Sequence, residues 1–125
     1  MSSVKINTSW TFEAAHQLHA MPDGHKCRRL HGHSYEVVFE VRMSADKDGM
    51  TVEYGELRAI VERLDHRYLN EIEGLASPTT ENVAAWILAE AEKLPSLSRD
   101  PGTDITVRVF EGAHRHCASV HRQGF

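Results

Sequence analysis

Residues 31–43 read HGHSYEVVFEVRM and alternate between apolar and polar side chains over most of their length. Successive side chains of a β-strand point to opposite faces of its sheet, so an apolar period of two is typical of a strand with one buried face. The segment therefore predicts a long strand that reaches back to His31 or His33. Its apolar positions are Tyr35, Val37, Phe39, Val41 and Met43.

The same two-residue period occurs upstream in residues 4–12 and downstream in residues 104–111, and a short final strand is expected over residues 117–122. Between these strands the apolar period changes to three and four residues, which predicts amphipathic helices. One stripe runs from Leu57 to Tyr68, and a second helix begins near residues 77–81 and ends before Pro95. Residues 95–102 are expected to form a loop. The predicted element order is ββααββ.

This order indicates an α+β fold in which a four-stranded antiparallel sheet carries two helices on one face. We find no internal repeat and no linker, so residues 1–125 are expected to form a single domain. The other sheet face also carries apolar residues such as Val38 and Phe110. Since unpaired sheet edges favour pairing with another chain, self-association is expected.

Composition excludes several classes of function. The chain has 125 residues with 14 Lys+Arg against 18 Asp+Glu, a net charge of −4, which argues against broad nucleic-acid binding. The longest apolar run, residues 83–89, is far shorter than the roughly 20 residues that cross a bilayer. The first residues lack the apolar core of a signal peptide, so we expect a cytoplasmic protein that contacts no membrane. Both cysteines are expected to be free thiols.

Histidine is unusually frequent, with nine residues spread along the chain. His31 and His33 lie two residues apart, and on an extended chain such side chains point to the same side, as metal ligands do. A catalytic zinc typically takes three protein ligands and leaves a fourth position open. His16 is the best candidate for the third ligand, while His19 and His25 are weaker alternatives. Two surface histidines at the start of a strand would show the same spacing.

Cys27 lies among Lys26, Arg28 and Arg29, and this positive charge favours the thiolate, so Cys27 is a candidate proton acceptor. An ordinary exposed cysteine is the alternative. The basic cluster itself is either a solvated loop or a local attraction for an anionic small molecule.

Three acidic residues have candidate roles. Asp65 could fix the tautomer of the adjacent His66 for proton transfer, provided that the helix ends there, because adjacent helical side chains diverge. Glu81 lies where a negative charge favours a helix N-terminus. Glu111 is the last residue of an apolar strand, so a purely solvent-exposed role explains it less well than it explains Glu81.

Together these residues resemble the family of 6-pyruvoyltetrahydropterin synthase and its bacterial relative 6-carboxytetrahydropterin synthase, an enzyme of the queuosine pathway. The matching segments cover nearly the whole chain: residues 12–16, 27–33, 53–57, 64–70, 78–82 and 109–111. The resemblance implies a T-fold of the order ββααββ. It also implies a homo-oligomer, commonly trimers stacked as hexamers, in which the subunits associate into barrels with sites between them.

The resemblance also implies roles for individual residues. The zinc ligands correspond to His16, His31 and His33, and the proton-transferring groups correspond to Cys27 and the pair Asp65 and His66. The glutamate that anchors the pterin corresponds to Glu111, and Thr80 and Glu81 belong to a segment that helps to bind it.

The implied reaction converts 7,8-dihydroneopterin triphosphate to 6-carboxy-5,6,7,8-tetrahydropterin with release of acetaldehyde and triphosphate, for 7-deazapurine formation. The spacing of three residues between Cys27 and His31 resembles that of the carboxytetrahydropterin branch. The alternatives are a 6-pyruvoyltetrahydropterin synthase or related side-chain lyase and, from another class, a non-catalytic zinc- or pterin-binding module. Such a module needs neither the Cys27 thiol nor the Asp65–His66 pair.

The sequence departs from the family pattern in three places, and one of them is Glu53, which stands where an aspartate is usual. The first helix looks about one turn short. Residues 112–116, GAHRH, follow Glu111 where the resemblance predicts a threonine and fewer histidines, so an altered substrate preference is possible and His114 and His116 have no assigned role.

Overall fold

The computed structural model describes residues 3–124 and is built on a five-stranded sheet with the spatial order β3-β1-β2-β4-β5. All neighbouring strands are antiparallel except β3, which pairs with β1 in the parallel sense. The strands are β1 (Ser3–His16), β2 (His31–Ser44), β3 (Arg67–Tyr68), β4 (Asp104–Glu111) and β5 (His116–Gln123).

Three helices lie between β2 and β4 in the chain: α1 (Tyr54–Glu62), α2 (Thr80–Ala91) and the short α3 (Pro95–Ser98). Single 3-10 turns occur at Lys26–Arg28 and Leu69–Glu71. Thr79 caps α2, because its side chain accepts a hydrogen bond from the Asn82 N–H at 3.1 Å. No helix within residues 3–124 has the length and apolar character needed to cross a membrane.

One face of the sheet carries the core. Phe12 and Ala14 of β1 and the inward-facing apolar residues of β2 and β4 are almost fully buried. They pack with the apolar stripes of α1 and α2 in one continuous cluster, against which Ile6 and Trp10 of β1 are partly buried. The opposite face is mostly polar but includes the half-buried Val38 and Phe110, as predicted. Glu40 pairs there with Lys5 at 3.4 Å and Arg108 at 3.7 Å. The predicted α+β class and the two helices on one face are confirmed, because the alternating strands leave a single apolar face to cover.

The prediction of four strands in the order ββααββ was wrong in two details. The stripe assigned to the first helix ends early, and Tyr68 lies in β3 instead of in that helix. α1 ends at Glu62, and His66, in the turn that follows, has φ 58° and donates its N–H to the Glu13 carbonyl at 2.6 Å. Arg67–Tyr68 then runs beside Ala14 and Ala15. The predicted loop after Pro95 contains α3, because proline suits the first turn of a helix.

Candidate functional site

Three histidine side chains converge where β1 ends and β2 begins. The antiparallel register places His16 opposite His31, and His33 lies two residues farther along β2 on the same face. Their ligand nitrogens all lie within 4.8 Å of one another, and Nε2 of His16 is 2.9 Å from Nε2 of His31. The arrangement could hold a metal ion with three imidazoles, which is one of the standard ligand sets of catalytic zinc.

Steric crowding explains why a glycine lies between His31 and His33. A Cβ atom at Gly32 would lie 3.2 Å from the backbone carbonyl oxygen of Ala14, closer than ordinary van der Waals contact. Since that oxygen belongs to the paired strand, it cannot move without disturbing the β1–β2 register. Glycine therefore lets β1 and β2 approach closely where the histidines meet.

Backbone carbonyls fix the orientation of two of the rings. Nδ1 of His16 lies 2.8 Å from the carbonyl oxygen of Pro78, and Nδ1 of His31 lies 2.7 Å from that of Arg29. A carbonyl oxygen can only accept, so each Nδ1 carries the proton and donates it. Each Nε2 is then left with a free lone pair directed at the centre, the usual outer-shell arrangement of a metal-binding histidine.

His33 supplies the clearest sign that the centre suits a metal. Its Nε2 is buried and has no hydrogen-bond partner within the described part of the chain; the nearest acid oxygen, Oε1 of Glu111, is 3.4 Å away. An unsatisfied buried polar atom costs about 1–3 kcal/mol. A metal ion bound by this nitrogen would remove that cost, so the donor set fits a divalent metal that accepts imidazole.

Burial favours the neutral form of His16 and His33. Desolvation lowers the pKa of His16, opposed by its hydrogen bond to Pro78 and assisted by the charge of His31. Desolvation also lowers the pKa of His33, against the opposing charge of Glu111. Because neutral imidazole is the form that binds metals, the centre is prepared for an ion near neutral pH.

The two weaker candidates for the third ligand lie outside this centre. His19 is exposed in the loop after β1. His25 caps the 3-10 turn, where its Nδ1 accepts a hydrogen bond from the Cys27 N–H at 3.0 Å. The structure therefore brings His16, and neither alternative, to His31 and His33.

Cys27 lies in a cavity of about 530 Å³ beside the histidines, here called the metal-side cavity. The thiol is free and half-buried, as is consistent with the predicted absence of a disulfide. The lining of the metal-side cavity includes Lys26, Cys27, His31, His33, Glu111 and Arg115.

Glu111 connects this cavity with a second one. Its Oε2 accepts a hydrogen bond from the Thr80 hydroxyl at 2.9 Å, while its Oε1 faces His33. The second cavity, about 560 Å³ and here called the helix-side cavity, is lined by residues that include Leu18, Met21, Thr80, Glu81, Glu111 and Val120. Glu111, Thr80 and Glu81, the three candidate binding residues, therefore share one cavity whose walls also offer apolar surface.

Asp65 and His66 form the expected pair. Because α1 ends at Glu62, the condition for a direct contact is met, and Nδ1 of His66 lies 3.0 Å from Oδ2 of Asp65. Asp65 also accepts the Glu13 N–H at 2.9 Å, and that hydrogen bond, with the one from His66, lowers its pKa. His66 itself is largely exposed.

The structure does not bring His66 to Cys27 within one chain. His66 lines a different cavity, together with Glu13, Gly32, Ser34 and Tyr68, whereas Cys27 lies in the metal-side cavity. Both cavities touch His33, which lies between them.

Sequence reasoning assigned no role to Asn70, which holds the chain just beyond His16. Its side-chain amide accepts the Gln17 N–H at 2.9 Å and donates to the Gln17 carbonyl at 2.8 Å. The sequence indicated Asn70 only as a member of the matching segment 64–70. Its contact with Gln17 could not be predicted, because the two residues are 53 positions apart in the chain.

Known proteins are similar to this chain in sequence and in fold. The family model "6-pyruvoyl tetrahydropterin synthase" matches residues 5–123. The 6-carboxy-5,6,7,8-tetrahydropterin synthase of Synechocystis sp. is 42% identical over 98 residues, covering 70% of this chain and 74% of that protein. The dihydroneopterin monophosphate aldolase of Pyrococcus furiosus is 36% identical over 89 residues, covering 66% and 70%.

A solved structure, 6-pyruvoyl tetrahydropterin synthase of Caenorhabditis elegans, superposes with a TM-score of 0.73 at 24% identity and covers 100% of this chain and 98% of that one. That likeness concerns the fold alone. The family model spans nearly the whole chain, and the curated relatives are enzymes that act on pterins. The chain therefore belongs to the 6-pyruvoyl tetrahydropterin synthase family and is a pterin synthase of the lyase class.

Proposed function

We propose that the protein converts 7,8-dihydroneopterin triphosphate and water to 6-carboxy-5,6,7,8-tetrahydropterin, acetaldehyde and triphosphate, using zinc held by His16, His31 and His33. The observation that carries the proposal is the convergence of one ring nitrogen from each of the three histidines beside a cavity that contains a thiol and a carboxylate. The relatedness to the Synechocystis 6-carboxy-5,6,7,8-tetrahydropterin synthase supports this product. A role in 7-deazapurine formation in the cytoplasm, by one domain spanning residues 1–125, is part of the same proposal.

Glu111 is proposed to hold the heterocycle. Its carboxylate would accept hydrogen bonds from the amino group and a ring N–H of the pterin, a charge-assisted bidentate contact. The Thr80 hydroxyl, which donates to Oε2, orients the carboxylate for this purpose. The apolar walls at Leu18, Met21 and Val120 would cover the faces of the ring.

Proton transfer is assigned to two groups. Cys27 Sγ, in the metal-side cavity, would take a proton from the substrate side chain. Nδ1 of His66 donates a hydrogen bond to Asp65, so Nε2 is the ring atom that would take a proton from the substrate or return one. A bound zinc would supply Lewis acidity at the side-chain hydroxyls and the developing carbonyl.

The separation of Cys27 and His66 favours a site that is completed by another copy of the chain. His66 is 79% exposed in its side chain and lines a cavity apart from that of Cys27. We therefore propose a homo-oligomer, a trimer or hexamer closed into a barrel, in which the Asp65–His66 pair of one subunit serves a neighbouring site. The unpaired edges at β3 and β5 support such an assembly.

The test is product identification. Purified metal-loaded protein is incubated with 7,8-dihydroneopterin triphosphate, and the pterin and aldehyde products are identified by mass spectrometry. We expect 6-carboxytetrahydropterin with equimolar acetaldehyde. A 6-pyruvoyl product would indicate the pyruvoyl synthase reaction instead. Release of a two-carbon aldehyde together with a 6-hydroxymethyl pterin would indicate an aldolase reaction instead. The relatedness to an archaeal dihydroneopterin monophosphate aldolase makes the last outcome the second candidate.

A further inference from the structure

Two basic side chains without partners line the metal-side cavity. Lys26 begins the 3-10 turn before β2, and Arg115 lies in the turn between β4 and β5. Neither side chain makes a hydrogen bond or an ion pair with any residue between 3 and 124. The two charges thus come from separate loops and meet at one cavity.

The two arginines of the basic cluster, Arg28 and Arg29, do not line the metal-side cavity. Arg28 donates to the carbonyls of His19 and Met21 at 2.6 and 3.0 Å and pairs with Asp23, so it holds the loop together. Arg29 lines a separate cavity. Of the cluster's three cations, Lys26 alone lines the metal-side cavity within the part of the chain described.

The turn that carries Arg115 is held in a fixed shape. His114 adopts φ 62°, its Nε2 lies 2.8 Å from Oε1 of Glu36, and its ring stacks on Phe110 with centroids 4.5 Å apart. These contacts tie His114 to the polar face of the sheet and leave Arg115 at the cavity. The unusual GAHRH segment therefore has a structural consequence, which is to place a cation near the histidine centre.

The charge balance of the cavity favours an anion. Glu111 is the one carboxylate in the described lining, and it already faces Thr80 and His33. The charges of Lys26 and Arg115 are left uncompensated, and unpaired cations in a concave site attract anions. Arginine matches phosphate oxygens in a bidentate manner, while lysine acts as a point charge.

We propose that Lys26 and Arg115 form a subsite for the phosphate tail of the substrate. The inference rests on the proposed function, in which the pterin lies at Glu111 and its side-chain hydroxyls at the histidine centre. The phosphates extend from the far end of that side chain, and both cations line the same cavity as His31 and His33. The pair thereby sets the preference for a phosphorylated over an unphosphorylated pterin.

The first test measures binding of inorganic triphosphate to the metal-loaded protein by calorimetry. Lys26→Gln and Arg115→Gln should each weaken binding about tenfold or more, since each loses a charge-assisted contact. Lys47→Gln is the matched control, because Lys47 is exposed in the turn after β2, at the opposite end of that strand from His31. It should bind triphosphate like the wild type. Metal content is measured before and after, and a variant that has lost its metal counts against the subsite.

The second test compares turnover of 7,8-dihydroneopterin triphosphate with that of unphosphorylated 7,8-dihydroneopterin. Both variants should raise the KM for the phosphorylated pterin about tenfold and leave the KM for the unphosphorylated one unchanged. Equal effects on both substrates, undiminished triphosphate binding, or no triphosphate binding by the wild type would overturn the subsite. If the wild type turns over neither pterin, the proposed function fails, and triphosphate binding alone still decides on Lys26 and Arg115.

Discussion

The residues of the histidine centre differ in what the sequence could reveal about them. The spacing of His31 and His33 predicted that they point to one side, since a strand alternates its faces. His16 was left open against His19 and His25, because only the register of β1 against β2 brings it opposite His31. The basic cluster at Lys26 was a candidate for attracting an anionic small molecule, but its approach to Arg115 could not be predicted. The two side chains reach one cavity through two loops whose shapes depend on tertiary contacts.

Replacing one ligand should remove the metal. His31→Ala leaves two imidazoles, too few for a stable three-ligand site, so we expect the variant to lose most of its metal while keeping its fold. His19→Ala is the matched control, because His19 is exposed and lies outside the centre. Elemental analysis of the purified variants is the measurement. Full metal content in His31→Ala would move the site elsewhere.

Gly32→Ala should loosen the centre sterically. The added Cβ would lie 3.2 Å from the Ala14 carbonyl oxygen, and we expect a loss of about 1–3 kcal/mol in the free energy of unfolding. Gly102→Ala is the control, since its Cβ would meet only the Asp100 side chain at 3.4 Å. Denaturant unfolding of the metal-free proteins compares them. Equal stability of the two variants would contradict the steric role of Gly32.

Among the elements, the long strands were predictable and the short ones were not. An apolar period of two marked β1, β2, β4 and β5. β4 has the predicted bounds, and the other three strands extend slightly beyond theirs. The two-residue strand β3 has no period to detect, and it pairs with β1 directly after His66, whose φ is positive. The start of α2 positions two parts of the site, since Pro78 holds His16 and Thr80 holds Glu111.

The connection between α1 and β3 should show a pH-dependent stability. The Glu13 N–H and His66 lower the pKa of Asp65 in the folded protein below its ordinary value of 3.8. A depressed carboxyl pKa contributes stability that is present above 3.8 and is lost as the pH falls through the folded pKa. Asp65→Asn should thus be less stable than the wild type at pH 7. The difference should shrink as the pH falls below 3.8 in denaturant unfolding, and a difference that is constant with pH would contradict the charge as its cause.

For the whole molecule, the question is whether one chain holds a complete site. The predicted α+β class follows from the single apolar face of the sheet, whereas no pattern in a single sequence shows which cavity a second copy completes. Cys27 and His66 line separate cavities, so a site shared between subunits predicts complementation between inactive variants.

We expect Cys27→Ala and His66→Ala each to lower turnover about a hundredfold or more while metal content stays intact. Mixed oligomers refolded from both variants should regain a fraction of the activity, because some sites then receive the intact thiol of one subunit and the intact His66 of another. Steady-state rates of the mixture and of each variant alone are compared. A mixture no more active than its components would place both groups in one subunit's site.

The most direct test of the proposed zinc centre is anomalous diffraction at the zinc edge from crystals of the metal-loaded protein. A zinc ion in the histidine centre should give one strong peak per chain, within bonding distance of a ring nitrogen from each of His16, His31 and His33, which converge in the structure. A peak bound by other residues, or three rings that bind no ion, would contradict it.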